Sequence, residues 1–375
     1  MPNVVVRPVK IEADQKDFLG LPETLYQDDE NWIPGCDQQD RELAGWGTHP
    51  FYETADAMSF VATRNGNPCG RITAIINRSY NEFHNVRHGF FGFFESTPDP
   101  DVTNGLIDAA SQWLISRECT LLRGPVSPSM TYQCGLLVNG FSESPSYLMP
   151  YNPACYQELL EDRGLKKCQD LYSYSGSVGM LDRVNPKIAS TYRKVTQRLG
   201  LELRHFRMEQ FTAEIRTFYD VYHQSLTGMW GFTPLNDQEI RHAGTTLSWM
   251  TLPQFTVMAE VRGQAIGSVL GILDYNPLIK MAGHHFSETE MTSFLNGPHR
   301  PRRLRIPCTL VTPEFTLWGV GPAMLHFLFD TGIQWGLREV EFSWVAESNW
   351  LSRKSLERGG ARLTRTFRVY ELPLG

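Results

Sequence analysis

Two glycines, Gly319 and Gly321, stand between an apolar strand and an amphipathic helix. The strand reads RLRIPCTLVT over residues 303–312, and the helical spacing of apolar residues predicts the helix over 323–337. Glycines let the backbone approach a ligand closely, and the amides that open a helix bind phosphate groups. The pattern therefore indicates a phosphate site at the start of this helix, with a plain tight turn as the alternative.

The strand before this turn carries Pro307 in its middle. Because proline cannot donate a hydrogen bond to a neighbouring strand, we predict that the strand bulges at Pro307 or lies at a sheet edge. Cys308 follows it and is expected to be a buried, inert thiol rather than a nucleophile.

The chain has 375 residues, of which 41% are hydrophobic and 20% are charged, as expected for a globular protein of two domains. Its net charge of −6 disfavours nucleic acid as a partner. No apolar run reaches the roughly 18 residues of a membrane span, and the first residues lack a signal-peptide pattern. Seven scattered cysteines without a CxxC pair indicate reduced thiols and no metal site. These features predict a cytoplasmic protein with no membrane partner.

The second half of the sequence repeats landmarks of the first half at an offset of 197 or 196 residues. The paired positions are Arg7 and Arg204, Gly66 and Gly263, Asn152 and Asn349, Gly164 and Gly360, and Tyr174 and Tyr370. Five landmarks at one offset indicate two copies of one α/β unit. The predicted domains are residues 1–178 and 179–375.

The first copy has a different sequence where the second copy has its glycine turn. Residues 96–101 read STPDPD. Two carboxylates repel a phosphate group, and the two prolines offer no amide hydrogen. We therefore predict that only the second domain holds a phosphate-bearing ligand.

Two runs resemble the signatures of GCN5-related N-acetyltransferases (GNAT proteins). PEFTLWGVG at 313–321 resembles their pyrophosphate loop, and SNWLSRKSLERGGA at 348–361 resembles their second signature, an asparagine followed by a helix that ends in glycine. With FFGFFE and MWGFTPLN, the whole chain is similar to a bacterial family of tandem GNAT proteins. The resemblance implies an α/β fold with two GNAT-like acyl-CoA N-acyltransferase units. Each unit is expected to have a mixed, mostly antiparallel central sheet flanked by helices.

The resemblance also implies an acyltransferase that moves an acyl group from acetyl-CoA, or another acyl-CoA, to an amine of a small molecule. No metal is implied. The residues that it assigns to donor binding are Leu310, Val311, Thr312, Gly319, Val320, Gly321 and Asn349.

The loop departs from the family pattern in its charges. Thr316 and Trp318 stand where the family has arginine and lysine, so two charged phosphate contacts are missing. The nearby run of Arg300, Arg302 and Arg303 could replace that charge, or could be a solvated surface run.

Acyl transfer to an amine also needs a base that accepts the amine proton. The candidates are Asp274 at the end of a hairpin strand, His285 of the pair at 284–285, and Glu347. Histidine has the most suitable ordinary pKa for this role. Each candidate could instead be a surface or capping residue.

The acceptor pocket of GNAT proteins is lined by the segment after the first helix, which here carries Trp230 and Phe232. Asn276, after the hairpin, is a further candidate for acceptor binding. Both aromatic side chains could equally pack in the core.

Two other functions stay open. One is aminoacyl transfer from a charged tRNA, which the basic run near Arg302 favours and the acidic net charge opposes. The other is a non-catalytic ligand-binding protein that kept the fold. The oligomeric state is also open.

Overall fold

The computed structural model describes residues 4–180, 186–283 and 288–375. The chain forms two compact units. The first unit contains residues 4–171, 279–283 and 365–375, and the second contains residues 172–278 and 288–364. The prediction of two contiguous domains, 1–178 and 179–375, did not include this interleaving.

The described residues contain fifteen β-strands. They are β1 (Val4–Pro8), β2 (Ala55–Arg64), β3 (Asn67–Asn77), β4 (His88–Ser96), β5 (Leu121–Gly124), β6 (Val126–Ser127), β7 (Gln133–Cys134), β8 (Leu136–Asn139), β9 (Lys166–Ser177), β10 (Leu201–Arg204), β11 (Thr256–Val261), β12 (Gln264–Leu273), β13 (Arg303–Val311), β14 (Glu339–Ala346) and β15 (Arg362–Pro373).

The α-helices connect these strands. They are α1 (Glu12–Leu25), α2 (Asp37–Leu43), α3 (Arg78–His84), α4 (Pro100–Ile115), α5 (Cys155–Asp162), α6 (Pro186–Leu199), α7 (Phe211–Leu226), α8 (Asp237–Met250), α9 (Asn276–Ala282), α10 (Glu288–Asn296), α11 (Val320–Trp335) and α12 (Trp350–Arg358). Within the described residues, none of these helices is both long and apolar enough to cross a membrane.

The first unit has a sheet in the order β1-β2-β3-β4-β5-β15. The pair β4–β5 is parallel, and the other pairs of this order are antiparallel. Helix α4 packs on β1, β2 and β3. Its apolar side chains, such as Leu106, are fully buried in a core with Ile72, Phe91, Tyr156 and Tyr370. Burial of this apolar surface is the main force that holds the unit together.

Residues 365–375 complete the first unit although they come last in the chain. In β15, Tyr370 lies opposite Gly124 of β5, and Phe367 lies opposite Leu137 of β8. The Tyr370 hydroxyl donates a hydrogen bond of 2.9 Å to Glu161 at the end of α5. The first unit therefore needs this distant segment for its sheet and its core.

The second unit has a sheet in the order β9-β14-β13-β12-β11-β10. The pair β13–β14 is parallel, and β10 to β13 form antiparallel pairs. Helix α11 packs on β11, β12 and β13, and helix α7 packs on β12 and β13. The resulting mixed sheet flanked by helices in each unit confirms the predicted fold class.

The repeated landmarks adopt the same backbone conformation in both units at the turns. Gly66 and Gly263 have positive φ angles of 82° and 76°, and each closes a two-residue hairpin turn. From the repeat, Asn152 is expected to open a helix as Asn349 does, and the structure contradicts this expectation. The Asn152 side chain accepts a 2.7 Å hydrogen bond from the Leu137 amide and donates a 3.1 Å bond to the Leu137 carbonyl, while α5 begins at Cys155. Asn349, by contrast, caps α12 by accepting a bond from the Ser352 amide.

Candidate functional site

Strands β13 and β14 separate along their length. Their parallel pairing runs from Arg303 with Glu339 to Ile306 with Phe342, and no later pair continues it in the described chain. Both strands extend further, to Val311 and to Ala346. The edge of β13 that faces β14 therefore has backbone groups that the sheet does not use. An extended ligand with amide groups fits such an edge, because it completes the ladder as a strand would.

The point of separation coincides with a β-bulge at Pro307. The register of β13 against β12 shifts between the pairs Leu270–Cys308 and Ile272–Arg305, so two residues of β13 face Gly271 alone. This confirms the predicted bulge. Cys308 is half-buried, and burial raises the pKa of its thiol to about 12, so the thiol is protonated at neutral pH.

The loop after β13 ends at a helix start without a side-chain cap. Gly319 is the residue before α11 and has a positive φ of 81°, which favours glycine. The amides of Val320 and Gly321 open the helix, and Pro322 has no amide hydrogen. Together with the positive end of the helix dipole, these amides can hold an anionic group.

The predicted donor residues lie along one edge of the second unit. Leu310 and Val311 end β13, and Thr312 leads into the loop. A Cβ atom at Gly321 would contact the side chains of Thr309 and Val311 at 3.6 and 3.9 Å. The helix start and the end of β13 are thus adjacent, as one donor molecule would require. Asn349 follows β14, whose carboxyl end meets the same edge because the two strands are parallel.

The arginine run at 300–303 lies at the other end of the unit. Arg300 stacks on Trp335, the last residue of α11, with 5.1 Å between the guanidinium and the ring centre. Arg303 pairs with Glu339 at 2.8 Å. Because α11 has 16 residues, its two ends are about 24 Å apart. The suggestion that this run replaces the missing charge of the loop was wrong.

A buried polar cluster lies just before the point of separation. The Arg305 side chain donates to the hydroxyl and the carbonyl of Ser343, at 3.0 and 3.1 Å. The Ser343 hydroxyl donates to Glu341 at 2.9 Å. The exposed fractions are 4% for Arg305 and 1% for Glu341 and Ser343, and burial lowers the pKa of Arg305 to about 10. Glu341 and Ser343 share one face of β14.

Of the three predicted bases, the structure brings only Asp274 close to this cluster. Asp274 follows β12, its amide donates to the Arg303 carbonyl, and its charge acts on Arg305. One of its carboxylate oxygens accepts a 3.2 Å bond from the amide of Asn276, the first residue of α9. Glu347 lies beyond β14, about 20 Å along the chain from Glu341. His285 lies outside the described residues.

The predicted acceptor residues are differently placed. Phe232 is 6% exposed and packs against Tyr222 and His223, with ring centres about 6 Å apart. Trp230 is half-buried in the same connection between α7 and α8. Asn276 is buried at the start of α9, next to Asp274.

Sequence reasoning missed Arg305, Glu341 and Ser343. In EVEFSWVA, Glu339, Glu341 and Ser343 alternate with apolar residues. Such alternation predicts a solvent-facing polar side, so the sequence carried no signal that Glu341 and Ser343 are buried.

The corresponding space in the first unit is filled. The parallel pairing of β4 and β5 ends at Phe90 with Arg123, and β6 then packs against β4. The Ser127 hydroxyl accepts a 2.8 Å bond from the Phe93 amide, and a Cβ atom at Gly92 would overlap the Val126 carbonyl. The start of α4 is occupied as well, because Asp99 accepts a bond from the Asp101 amide.

Comparisons with known proteins agree with this fold. No family model matches the chain. The chain is 30% identical over 383 residues to the bacterial ceramide synthase of Caulobacter vibrioides, covering 99% of this chain and 98% of the relative. It is 26% identical to protein YghO of Escherichia coli, covering 98% and 95%. A tandem GNAT protein from the clavulanic acid biosynthesis pathway superposes with a TM-score of 0.57 at 12% identity, over 100% of this chain and 99% of that protein.

Proposed function

The chain belongs to the tandem GNAT family that includes the Caulobacter ceramide synthase, and from this premise we propose that it is an N-acyltransferase for a long-chain amine. It transfers a fatty acyl group from acyl-CoA to the primary amine of a sphingoid-type base and forms an amide. The main support is the open edge of β13 beside the uncapped start of α11.

The open edge suits the donor because a pantetheine arm contains two amide groups. These amides bond to the backbone of β13 between Thr309 and Val311, while the diphosphate lies on the amides of Val320 and Gly321. In the proposed arrangement the thioester lies near the bulge at Pro307, and a backbone amide of β13 beyond Ile306, where the pairing with β14 has ended, polarises its carbonyl.

The polar cluster suits the proton transfer. The amine nitrogen attacks the thioester carbon, the carbon–sulfur bond breaks, and the amine proton must leave. In the proposed mechanism this proton passes through the Ser343 hydroxyl to the Glu341 carboxylate, which are 2.9 Å apart. Arg305 bonds to Ser343 and interacts with the charge of Glu341, and Asp274 positions α9. The thiol product is acidic enough to leave without a dedicated donor.

The acceptor class rests on the name of the Caulobacter relative, since a ceramide is a long-chain base acylated on its amine. Exposed apolar side chains at the donor edge add support. Leu317 is 84% exposed and Trp350 is 67% exposed. Large exposed apolar side chains commonly mark sites that bind apolar partners, and a lipid chain is one of these.

The test is a product assay with purified protein. Hexadecanoyl-CoA and sphinganine are expected to give the amide, detected by mass spectrometry, and an equal amount of free thiol. Acetyl-CoA and short amines are run beside them and are expected to react more slowly. The Glu341→Gln variant is the control for enzyme-dependent turnover. Thiol release that does not depend on any added amine would contradict the proposal.

A further inference from the structure

A recess of about 380 Å³ lies next to the donor loop of the second unit. Its walls come from the loop and from the last turns of α6. The lining residues are Lys194, Val195, Arg198, Leu199, Leu317 and Trp318. The recess therefore places Lys194 and Arg198 next to a loop that has no lysine or arginine of its own.

The packing of α6 on α11 determines where these cations lie. The Tyr192 ring meets the His326 ring at 5.2 Å, two turns into α11. Arg198, six residues later, lies over the Trp318 ring, before α11 begins, with 5.1 Å to the ring centre. The two helices thus run in opposite directions. The carboxyl end of α6 brings its cations to the amino end of α11.

The two cations are available for a ligand. Lys194 and Arg198 are exposed, and neither forms an ion pair within the described part of the chain. The stacking of the guanidinium on Trp318 fixes the position of Arg198 without using its hydrogen-bond donors. The loop itself, 312–319, contributes a single charged residue, Glu314, which is an anion. For an anionic ligand at the start of α11, the neighbouring positive charges are therefore those of Lys194 and Arg198 on α6.

We propose that Lys194 and Arg198 bind the phosphates at the nucleotide end of the donor and so make this enzyme selective for CoA thioesters over thioesters that carry only a pantetheine arm. The inference rests on the proposed function for the identity of the donor. Lysine and arginine are the side chains that bind phosphates through charge-assisted hydrogen bonds. Helix α6 supplies from outside the loop what Thr316 and Trp318 do not supply within it.

The test is calorimetric titration of CoA, 3′-dephospho-CoA and pantetheine into the full chain. The variants are Lys194→Ala/Arg198→Ala, the conservative exchange Lys194→Arg/Arg198→Lys, and Arg193→Ala as the matched control. Arg193 is exposed on the same helix but does not line the recess. The double alanine variant is expected to weaken CoA binding about ten- to thirtyfold, with pantetheine binding unchanged. The conservative exchange and the control are expected to stay within about twofold of the original affinity.

Three outcomes would overturn the inference. They are an unchanged CoA affinity in the double alanine variant, an equal loss of affinity for CoA and pantetheine, and an equal loss of CoA affinity in the Arg193→Ala control. Turnover of hexadecanoyl-pantetheine separates this inference from the proposed function, because that donor has no phosphate. If it is turned over equally by the original chain and the double variant, the function stands whatever the CoA affinities are. If neither thioester is a donor, the proposed function fails while the titrations still report on Lys194 and Arg198.

Discussion

The two units have the same fold, but they differ at the point where the pairing of their two parallel strands ends. In the second unit the gap after Ile306 and Phe342 stays open along β13. In the first unit β6 fills the gap after Phe90 and Arg123, and the Ser127 hydroxyl accepts a hydrogen bond from the Phe93 amide. The fold alone therefore does not create a donor site. The site depends on whether the chain uses those backbone groups itself.

The units also differ at the starts of α4 and α11 and in the residue pairs just before the parallel pairing ends. Asp99 caps α4 with its own carboxylate, whereas Gly319 leaves the start of α11 without a side-chain cap. One pair before the gap, the second unit has the buried charges of Arg305 and Glu341, where the first unit has a glycine and a leucine. Retaining buried charges is unfavourable for stability, and such groups are often functional. The second unit therefore has the features that the proposed function needs, and the first unit lacks them at the matching positions.

The largest expected effect comes from closing the second unit. Replacing Gly319 by Val and Gly321 by Leu together strains the left-handed position and fills the space over Thr309 and Val311. We expect CoA affinity to fall about 100-fold or more, because charge-assisted bonds to phosphate are lost. Calorimetric titration measures it. The matched control is Asp99→Ala at the start of α4, which should leave CoA affinity unchanged and lower the unfolding free energy by about 1 kcal/mol. Unchanged affinity in the glycine variant would contradict the proposed loop.

The next effect tests the polar cluster. Glu341→Gln keeps the shape and an acceptor for Ser343 but removes the base. We expect kcat to fall about 100-fold or more, while the CoA dissociation constant stays unchanged. The thermal unfolding temperature of the variant shows whether the protein still folds when the buried Arg305 has lost the charge of Glu341. Glu95→Gln, at a buried carboxylate of the first unit, is the control and should keep full turnover. Equal loss in both variants would remove the distinction between the units.

A smaller effect concerns the stability of the filled gap. Ser127→Ala leaves the Phe93 amide without its side-chain acceptor in a buried strand. We expect the free energy of unfolding to fall by about 1–3 kcal/mol, with turnover unchanged. Urea denaturation measures the first quantity and the thiol-release assay measures the second. Binding of two CoA molecules per chain by the original protein would show that the first unit is not closed after all.

The smallest effect is a pH dependence in the first unit. Glu95 accepts bonds from Tyr26 and Tyr156 at 2.7 and 2.9 Å, and burial raises its pKa above the ordinary 4.5. Because the folded state holds this proton more tightly than the unfolded state, the contribution of Glu95 to stability falls as pH rises from 4.5 through the raised pKa. The unfolding free energy of Glu95→Gln, relative to the original chain, should therefore increase from pH 4.5 towards neutrality. A difference that stays constant over this range would contradict the raised pKa.

Much of the fold could be predicted because its signals are local. The hairpin at Gly66 and Gly263, the bulge at Pro307 and the cap at Asn349 each follow from the conformational limits of one residue. The tandem arrangement followed from the repeat of these local signals. Asn152 shows the limit of that reasoning, since the same residue type at the matching position bonds to Leu137 instead of capping a helix.

The site could be predicted only in part because its chemistry is assembled across the chain. Arg305 and Glu341 read as isolated charges in separate strands until the parallel pairing brings them together. Lys194 and Arg198 read as an ordinary basic helix face until α6 packs against α11. Hydrophobic periodicity predicts which face of a helix or strand is buried, but it does not predict which other element packs against that face.

The place of β15 in the first unit has a consequence for synthesis. An emerging chain exposes β5 and β8 long before residues 365–373 exist to pair with them. The ribosome must therefore translate more than two hundred further residues, roughly 11 to 45 seconds of elongation, while that sheet edge has no strand from β15. A nascent chain stalled within this interval would present an edge that other chains can join, so its need for chaperones would peak before translation of β15.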